Sequence, residues 1–548
     1  MDADAKAAPR GLELATMIQH LDNKPKTESN SFPVNEIEDD NAQTAAEKRG
    51  AWVSKMDFLM STIGFAVDLS NVFRFPYLCY RNGGGAFLIP YFIMLFLCAL
   101  PMFLMELLIG QHFQQGCIGV WDLCPLLKGI GWTSCILNFL VAMYYNVIIA
   151  WSAFYVFSSM SKTIPWSTCD NWWNTARCIS VKQNPVNATS AVEFFHRRML
   201  HDHESKGLDD IGTIHWEISL SLLFTYAVLY LCLFKGVKSL GRAAWITSIL
   251  PYLVLTIMLV RGLMLENSTV GIKYFLYPNF SMLRDVKVWA EAVSQIFFSM
   301  GIGFGVHIAY ASYNSFHQPI YRSCLIAISV NSFTSLFSGF VVFAYLGYLS
   351  GGNDINKISD DMLAELPLPQ LWSLLFFIMV FSLGIDSSFG ALEALLTALR
   401  DTLSVYLKKV KYDREILTAV ILIILYLVSL PHACSGGLYV TQFLDQNVAN
   451  ASLLLIGIEQ CLVIAWIFGV HSLSDCAKRM FGAPAPLIFC IVLKYITPLL
   501  LLFAIFSRLA DISVTTMKLS GLNYTYPSWS EVSFHSSNKT LIAFVIHK

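Results

Sequence analysis

The chain is divided into blocks of about twenty or more apolar residues separated by short charged loops, and this alternation constrains the fold more than any motif. A hydrocarbon core about 30 Å thick is crossed by about 20 helical residues, so each block has the length of one membrane span. Within lipid the backbone must satisfy its own polar groups, which makes each span a helix. The blocks fall near 57–80, 86–111, 131–158, 215–234, 241–263, 288–316, 321–349, 371–400, 415–433, 437–470 and 485–508. The sequence therefore reads as an all-α polytopic membrane protein of about eleven spans. Composition agrees: 55% of 548 residues are hydrophobic and 14% are charged, too few to coat a soluble domain of this size. A net charge of −1 implies no nucleic-acid partner.

Residues 1–50 are polar, lack the apolar centre of a signal peptide, and read as a disordered tail ahead of a transmembrane domain over 51–510. Basic residues orient the spans. Lys48, Arg49 and Lys55, then Lys235, Lys238 and Arg242, then Lys408, Lys409, Lys411 and Arg414, then Lys478 and Arg479 all fall on one side. By the positive-inside rule the N-terminus is cytoplasmic. The long loop 159–214 is then outside, with the glycosylation sequon at Asn187 and further sequons in an outer loop at Asn267 and Asn279. Cys169 and Cys178 flank a polar stretch of the 159–214 loop, and a disulfide there requires an oxidising compartment. Residues 511–548 form an atypical polar tail ending in LIAFVIHK, too short to cross a bilayer.

Two spans are interrupted. In STIGFAVDLSNVFRFPYLCYRNGGGAF a polar knot of Asp68, Ser70, Asn71 and Arg74 lies between Gly64 and Pro76. Charges at membrane depth face a cavity or a partner, and broken helices expose carbonyls that bind ions; the alternative is a structural kink. In AVSQIFFSMGIGFGVHIAYASYN, Gly301, Gly303 and Gly305 follow Gln295 and Ser299. Alternating glycines alone equally suit close helix packing. Two interrupted helices, each opening a set of about five spans, are the mark of inverted repeats around a midplane site.

NVFRFPYLCYRNGGGAF, QIFFSMGIGFG, YYNVIIAW and SLGIDSS closely resemble the neurotransmitter:sodium symporters, and within them the monoamine branch. The resemblance runs from about Arg49 to about Asp511, in a family whose known architecture is the five-plus-five inverted repeat. It implies a first sodium site from the Ala66 carbonyl, Asn71, Ser299 and Asn331. It implies a second from the carbonyls of Gly64, Val67 and Leu383 with Asp386 and Ser387. Such oxygen-only ligation suits a hard cation. Chloride would lie among Tyr91, Gln295, Ser299 and Ser335, and a neutral Ser335 leaves the sodium charge to a bound anion. The substrate pocket would comprise Asp68, Phe65, Ala66, Val141, Tyr145, Phe298, Phe304, Ser387 and Ser388. Amino-acid carriers of the family have glycine where Asp68 stands; an aspartate supplies the carboxylate from the protein and so favours an amine lacking an acid. The bland reading of Asp68 is a structural ion-pair partner.

The same resemblance implies an outer gate of Arg74 and Asp445 and an inner gate of Arg49 and Asp401, each of which also reads as a static ion pair. Glu106 and Glu393 read as structural hydrogen-bonding groups, and His307 as a core residue or a titrating modulator. Two departures stand out: a loop SGGNDINKISDDMLAELPLPQ shorter than the family's, and no recognisable twelfth span. The expected activity is sodium- and chloride-dependent uptake of a monoamine across the plasma membrane, with those two ions as co-transported partners. The alternatives are a non-transporting shortened isoform that assembles with full-length copies, and an amino-acid or other amine carrier. Which amine is left open: NVIIAW and LGIDS look catecholamine-like, Ala142 and Tyr144 lean to serotonin, and octopamine is a further option. The other expected partners are membrane lipid and further copies of the chain. No metal or nucleophile constellation supports an enzyme.

Overall fold

The computed structural model describes residues 51–180, 189–350, 369–404, 412–510, 516–519 and 522–527. The N-terminal tail, Arg49, the Asn187 sequon and the shortened loop lie outside the described residues.

Among the described residues nine helices are long and apolar enough to cross a membrane: Gly85–Phe113, Pro125–Ser159, Trp216–Leu233, Val237–Leu263, Ile320–Leu349, Gln370–Thr402, Asp413–Ala433, Gly437–Phe481 and Leu487–Ser507. The first and sixth apolar blocks are the two that break before reaching that length, so the eleven blocks of the sequence are accounted for. The tenth span runs to Phe481, past the expected end near 470, because helix resumes after Gly469, at positive φ, as an amphipathic stretch, Val470–Phe481, that buries Leu473, Cys476, Ala477 and Met480.

The first block starts as α1, Lys55–Ala66, capped by Ser54, whose hydroxyl accepts the Asp57 N–H while Asp57 takes the Ser54 N–H. It ends at Val67, which is extended, and helix resumes through a wide π-helical turn, Ser70–Arg74, into α2, Phe75–Arg81. The sixth block is split in the same way. Helix α3, Val286–Met300, and α4, Val306–Ala311, are separated by Gly301, Gly303 and Gly305, all at positive φ. A Cβ on Gly301 would fall 2.2 Å from the Phe65 ring, so this break closely approaches α1 as well as turning sharply.

The broken helices pack with α5, Ile320–Leu349, and α6, Pro369–Thr402. The long third-span helix, Gly129–Ser159, lies along α6. One buried apolar cluster runs through all of these elements. Outward-facing residues are apolar too: Leu231, Ile246, Leu253, Ile423, Ile488 and Leu499 are exposed, as the lipid-facing side of a membrane bundle requires.

Two features lie outside the bundle. A disulfide joins Cys169 and Cys178, with Cα atoms 5.8 Å apart. The stretch read as an atypical tail contains a hairpin in which β1, Thr516–Leu519, pairs antiparallel with β2, Leu522–Thr525. Beyond it Tyr526 is buried and donates to the Tyr439 carbonyl at 3.3 Å, while the Tyr524 hydroxyl accepts the Leu208 N–H at 3.0 Å.

Candidate ion and substrate site

The break in the first span leaves Asp68 outside regular helix and buried. Its Oδ1 accepts the Ser70 N–H at 2.9 Å and the Ser70 hydroxyl at 2.5 Å, and its own N–H goes to Asn71 Oδ1 at 2.9 Å. Among the described residues no hydrogen bond reaches Oδ2. Ser70 thus fixes the carboxylate by one oxygen and leaves the other for a ligand.

Asp68 lies on the wall of a cavity of about 470 Å³, open mouth included, together with Phe65, Val141, Ala142, Tyr145, Phe298, Gly301, Phe304, Ser387, Ser388 and Ala391. Of the nine residues expected around a substrate, the structure places all but Ala66 on this wall. Ala66 is fully buried behind it. The wall is aromatic and apolar apart from Asp68, the Tyr145 hydroxyl and two serines, which suits a ring bearing one cation. Ala142, Gly301 and Ala391 are the wall positions not expected as substrate contacts; they are small and carry no polar group to betray them.

The residues of the first expected sodium site converge. Asn71 Nδ2 donates to Asn331 Oδ1 at 2.6 Å and to Ser335 Oγ at 2.7 Å, and Ser299 Oγ donates to the same Asn331 oxygen at 3.2 Å. Asn71, Ser299 and Asn331 are all fully buried, and their oxygen donors fit a hard cation. At the second, Gly64 lies against Asp386 so closely that a Cβ on it would be 2.0 Å from Asp386 Oδ2. Ser248, on the fifth span, donates to that Oδ2 at 2.7 Å and reaches the Met60 carbonyl at 3.3 Å. Ser387 Oγ meets the Leu383 carbonyl at 3.3 Å. Val67, the third residue expected to offer a carbonyl from the first span's break, is the extended residue that ends α1.

Where chloride is expected, Tyr91, Gln295, Ser299 and Ser335 are all buried. Among the described residues the Tyr91 hydroxyl makes no well-formed hydrogen bond, with Ser335 and Ser332 beside it. A buried donor left in this way fits an anion among these side chains.

The unwound stretch of the sixth span is held by three buried side chains. Glu106 Oε1 accepts the Gly303 N–H at 3.0 Å and Gln460 Nε2 at 3.1 Å. Ser134 Oγ donates to the Gly303 carbonyl at 2.8 Å, and Asn138 Nδ2 to the Phe304 carbonyl at 2.6 Å. Glu106 was expected to be structural; Ser134, Asn138 and Gln460 were missed, and polar residues inside apolar spans were the signal that could have found them.

Residues 49–546 match the profile of the Sodium:neurotransmitter symporter family. The chain belongs to the sodium:neurotransmitter symporter family. The match reaches past Asp511, where the resemblance read from motifs stopped, almost to the end of the chain. Over 509 residues it is 40% identical to the "Sodium-dependent dopamine transporter" of Bos taurus, covering 89% of this chain and 72% of the relative. Over 500 residues it is 39% identical to the "Sodium-dependent serotonin transporter" of Drosophila melanogaster, covering 88% and 79% respectively. It is a multi-pass transporter coupled to sodium, and not an enzyme.

In this symporter the Arg74 guanidinium lies 5.3 Å from the centre of the Phe298 ring at the cavity wall and feels the charges of Asp445 and Asp68. Asp445 is exposed. Asp401 Oδ2 accepts the Gly116 N–H at 2.9 Å; its expected inner partner, Arg49, lies outside the described residues. Glu393 is buried and takes two bonds from Arg414, at 2.7 and 2.5 Å. His307 is enclosed, edge-on to Phe65 and Phe103, with Nε2 at 2.7 Å from the Met300 carbonyl. Of its two readings this favours the core residue, one that braces Phe65 and the end of α3.

Proposed function

We propose that the chain takes up a monoamine across the plasma membrane, drawing on sodium and chloride and moving the substrate by alternating access. The observation that carries this is the buried Asp68 carboxylate, anchored through one oxygen beside an aromatic cavity. A protonated amine pairs with Asp68 while its ring lies among Phe65, Tyr145, Phe298 and Phe304. An amino-acid substrate would bring a second carboxylate beside Asp68, and like charges in a low-dielectric pocket repel. Chloride dependence is supported by the neutral Ser335 and by the buried Tyr91 hydroxyl, which makes no well-formed hydrogen bond among the described residues. The relatives named for dopamine and serotonin support an amine without choosing between them.

Sodium held by residues on the first, sixth, seventh and eighth spans ties the broken first span to α3, α5 and α6. Amine pairing with Asp68 then draws the first span to the cavity wall, where Arg74 and Phe298 stand over the substrate. The reading places the N-terminus and the Lys/Arg-rich loops in the cytoplasm, with the disulfide loop outside.

The experiment is radiolabelled uptake of dopamine, serotonin and octopamine in expressing cells, with sodium or chloride replaced in turn. Uptake should fall to background without sodium and markedly without chloride. Uptake indifferent to both ions, or a preference for an amino acid over all three amines, would overturn the reading.

A further inference from the structure

We infer that His201, Glu204 and His215 form a binding site for a zinc-like divalent transition-metal ion on the loop between the third and fourth spans. His201 precedes one short turn, Asp202–Glu204, and Glu204 ends it, which brings His201 Nδ1 to 3.5 Å from Glu204 Oε1. His215 arrives from eleven residues further along the chain, at the head of the fourth-span helix, and its ring stacks on His201 at 4.3 Å and 15°. One ligand atom from each of the three lies within 4.8 Å of the others. Small side-chain rotations therefore bring all three onto one ion.

The position of His215 is fixed by backbone rather than chance contact. Its N–H donates to the Ala433 carbonyl at 2.9 Å, and the neighbouring Ile214 forms a β-bridge with Cys434. Its Nε2 lies 2.9 Å from Ser435 Oγ, the kind of outer hydrogen bond that orients a metal-bound imidazole when the ion takes Nδ1. The bland alternative is a solvent-facing stack of loop histidines. Against it stand the convergence of a carboxylate on the stack and the anchoring of its two halves from separate parts of the chain.

The donor set selects the ion. Two imidazoles and a carboxylate suit zinc and its neighbours, whereas sodium and calcium favour oxygen alone. Glu204 is exposed and His201 partly so, which leaves a path from solution and room for water as the fourth ligand. The ion would cross-brace the loop to the turn at Ala433–Ser435, immediately ahead of the helix that carries Asp445.

The test uses the purified full chain, freed of metal by chelator. Titration with Co2+ should produce the visible bands of a four-coordinate ion, bleached by Zn2+, and Zn2+ should raise the melting temperature. Both effects should vanish in His201→Ala and His215→Ala and persist in His203→Ala, while Ca2+ should have no effect. On the unaltered chain, Zn2+ should protect His201 and His215 from diethyl pyrocarbonate, read by mass spectrometry, which decides the matter if a variant misfolds. Absent bands and melting shift, effects that survive both substitutions, or protection confined to other histidines would each overturn the proposal. None of these readouts requires uptake, so their failure leaves the transport reading untouched.

Discussion

At the scale of single residues, Asp68 and Gly64 make opposite demands. Asp68 must keep a charge in a dry place, where its bonds from Ser70 hold the carboxylate still. Replacing it with Asn preserves size and those bonds but removes the charge. Breaking one side of a buried charge pair costs about 2–5 kcal/mol, so Asp68→Asn should weaken amine binding by about 30-fold or more, measured as competition against a radiolabelled inhibitor. Unchanged affinity would reduce Asp68 to a structural role. Gly64 must keep nothing at all. A methyl group there meets Asp386 Oδ2 at 2.0 Å, and Asp386 is held in place by Ser248. Overpacking of this kind costs about 1–3 kcal/mol, so Gly64→Ala should fold less stably and require more sodium for half-maximal uptake. A sodium curve identical to the parent's would show that Asp386 yields. Asp68 was legible in the sequence because a carboxylate inside an apolar block has few explanations. Ser248 was not, because a serine in a span looks the same whether it braces a site or bonds its own helix.

Among elements, the broken sixth span shows what an interruption requires. The glycines that permit it were visible in sequence as an alternating run, but glycine only allows the turn. What holds it is a set of side chains from other helices: Glu106 on the Gly303 N–H, Ser134 and Asn138 on the carbonyls of Gly303 and Phe304. These contacts join residues more than 160 positions apart, and no local pattern encodes them. Leaving a buried N–H without a partner costs about 1–3 kcal/mol. Glu106→Ala should therefore lower the melting temperature of the purified protein and reduce uptake together, because the break shapes the cavity at Gly301 and Phe304. A variant that melts lower yet transports at the parent rate would separate the clamp from the site. The breaks themselves followed from composition and backbone chemistry, which is why the two interrupted spans were placed correctly and their supports were not.

On the proposed alternating-access reading the whole molecule has two closures, and a residue that no motif marked stands where the inner one would form. Trp52, ahead of α1, is buried on the second half of the sixth span: its Nε1 donates to the Tyr310 carbonyl at 3.0 Å and its N–H to that of Tyr313 at 3.4 Å. Its ring meets Phe58, Tyr310 and Tyr313 edge-on. In the proposed orientation this closes the cytoplasmic side by tying the two broken spans together below the cavity. Removing a buried tryptophan costs about 3–5 kcal/mol, and a loss of that size confined to one closure would shift a two-state balance by about 100-fold or more. Trp52→Ala should thus populate an inward-open form. With a reporter cysteine at Ala391 on the cavity wall in both backgrounds, labelling from the cytoplasmic face of inside-out vesicles should rise sharply in the variant while uptake falls. Equal labelling in both would mean that Trp52 stabilises the fold in every state, and that the inner closure depends on other contacts. The sequence displayed the two broken spans separately, but it could not show that one tryptophan outside both of them joins them.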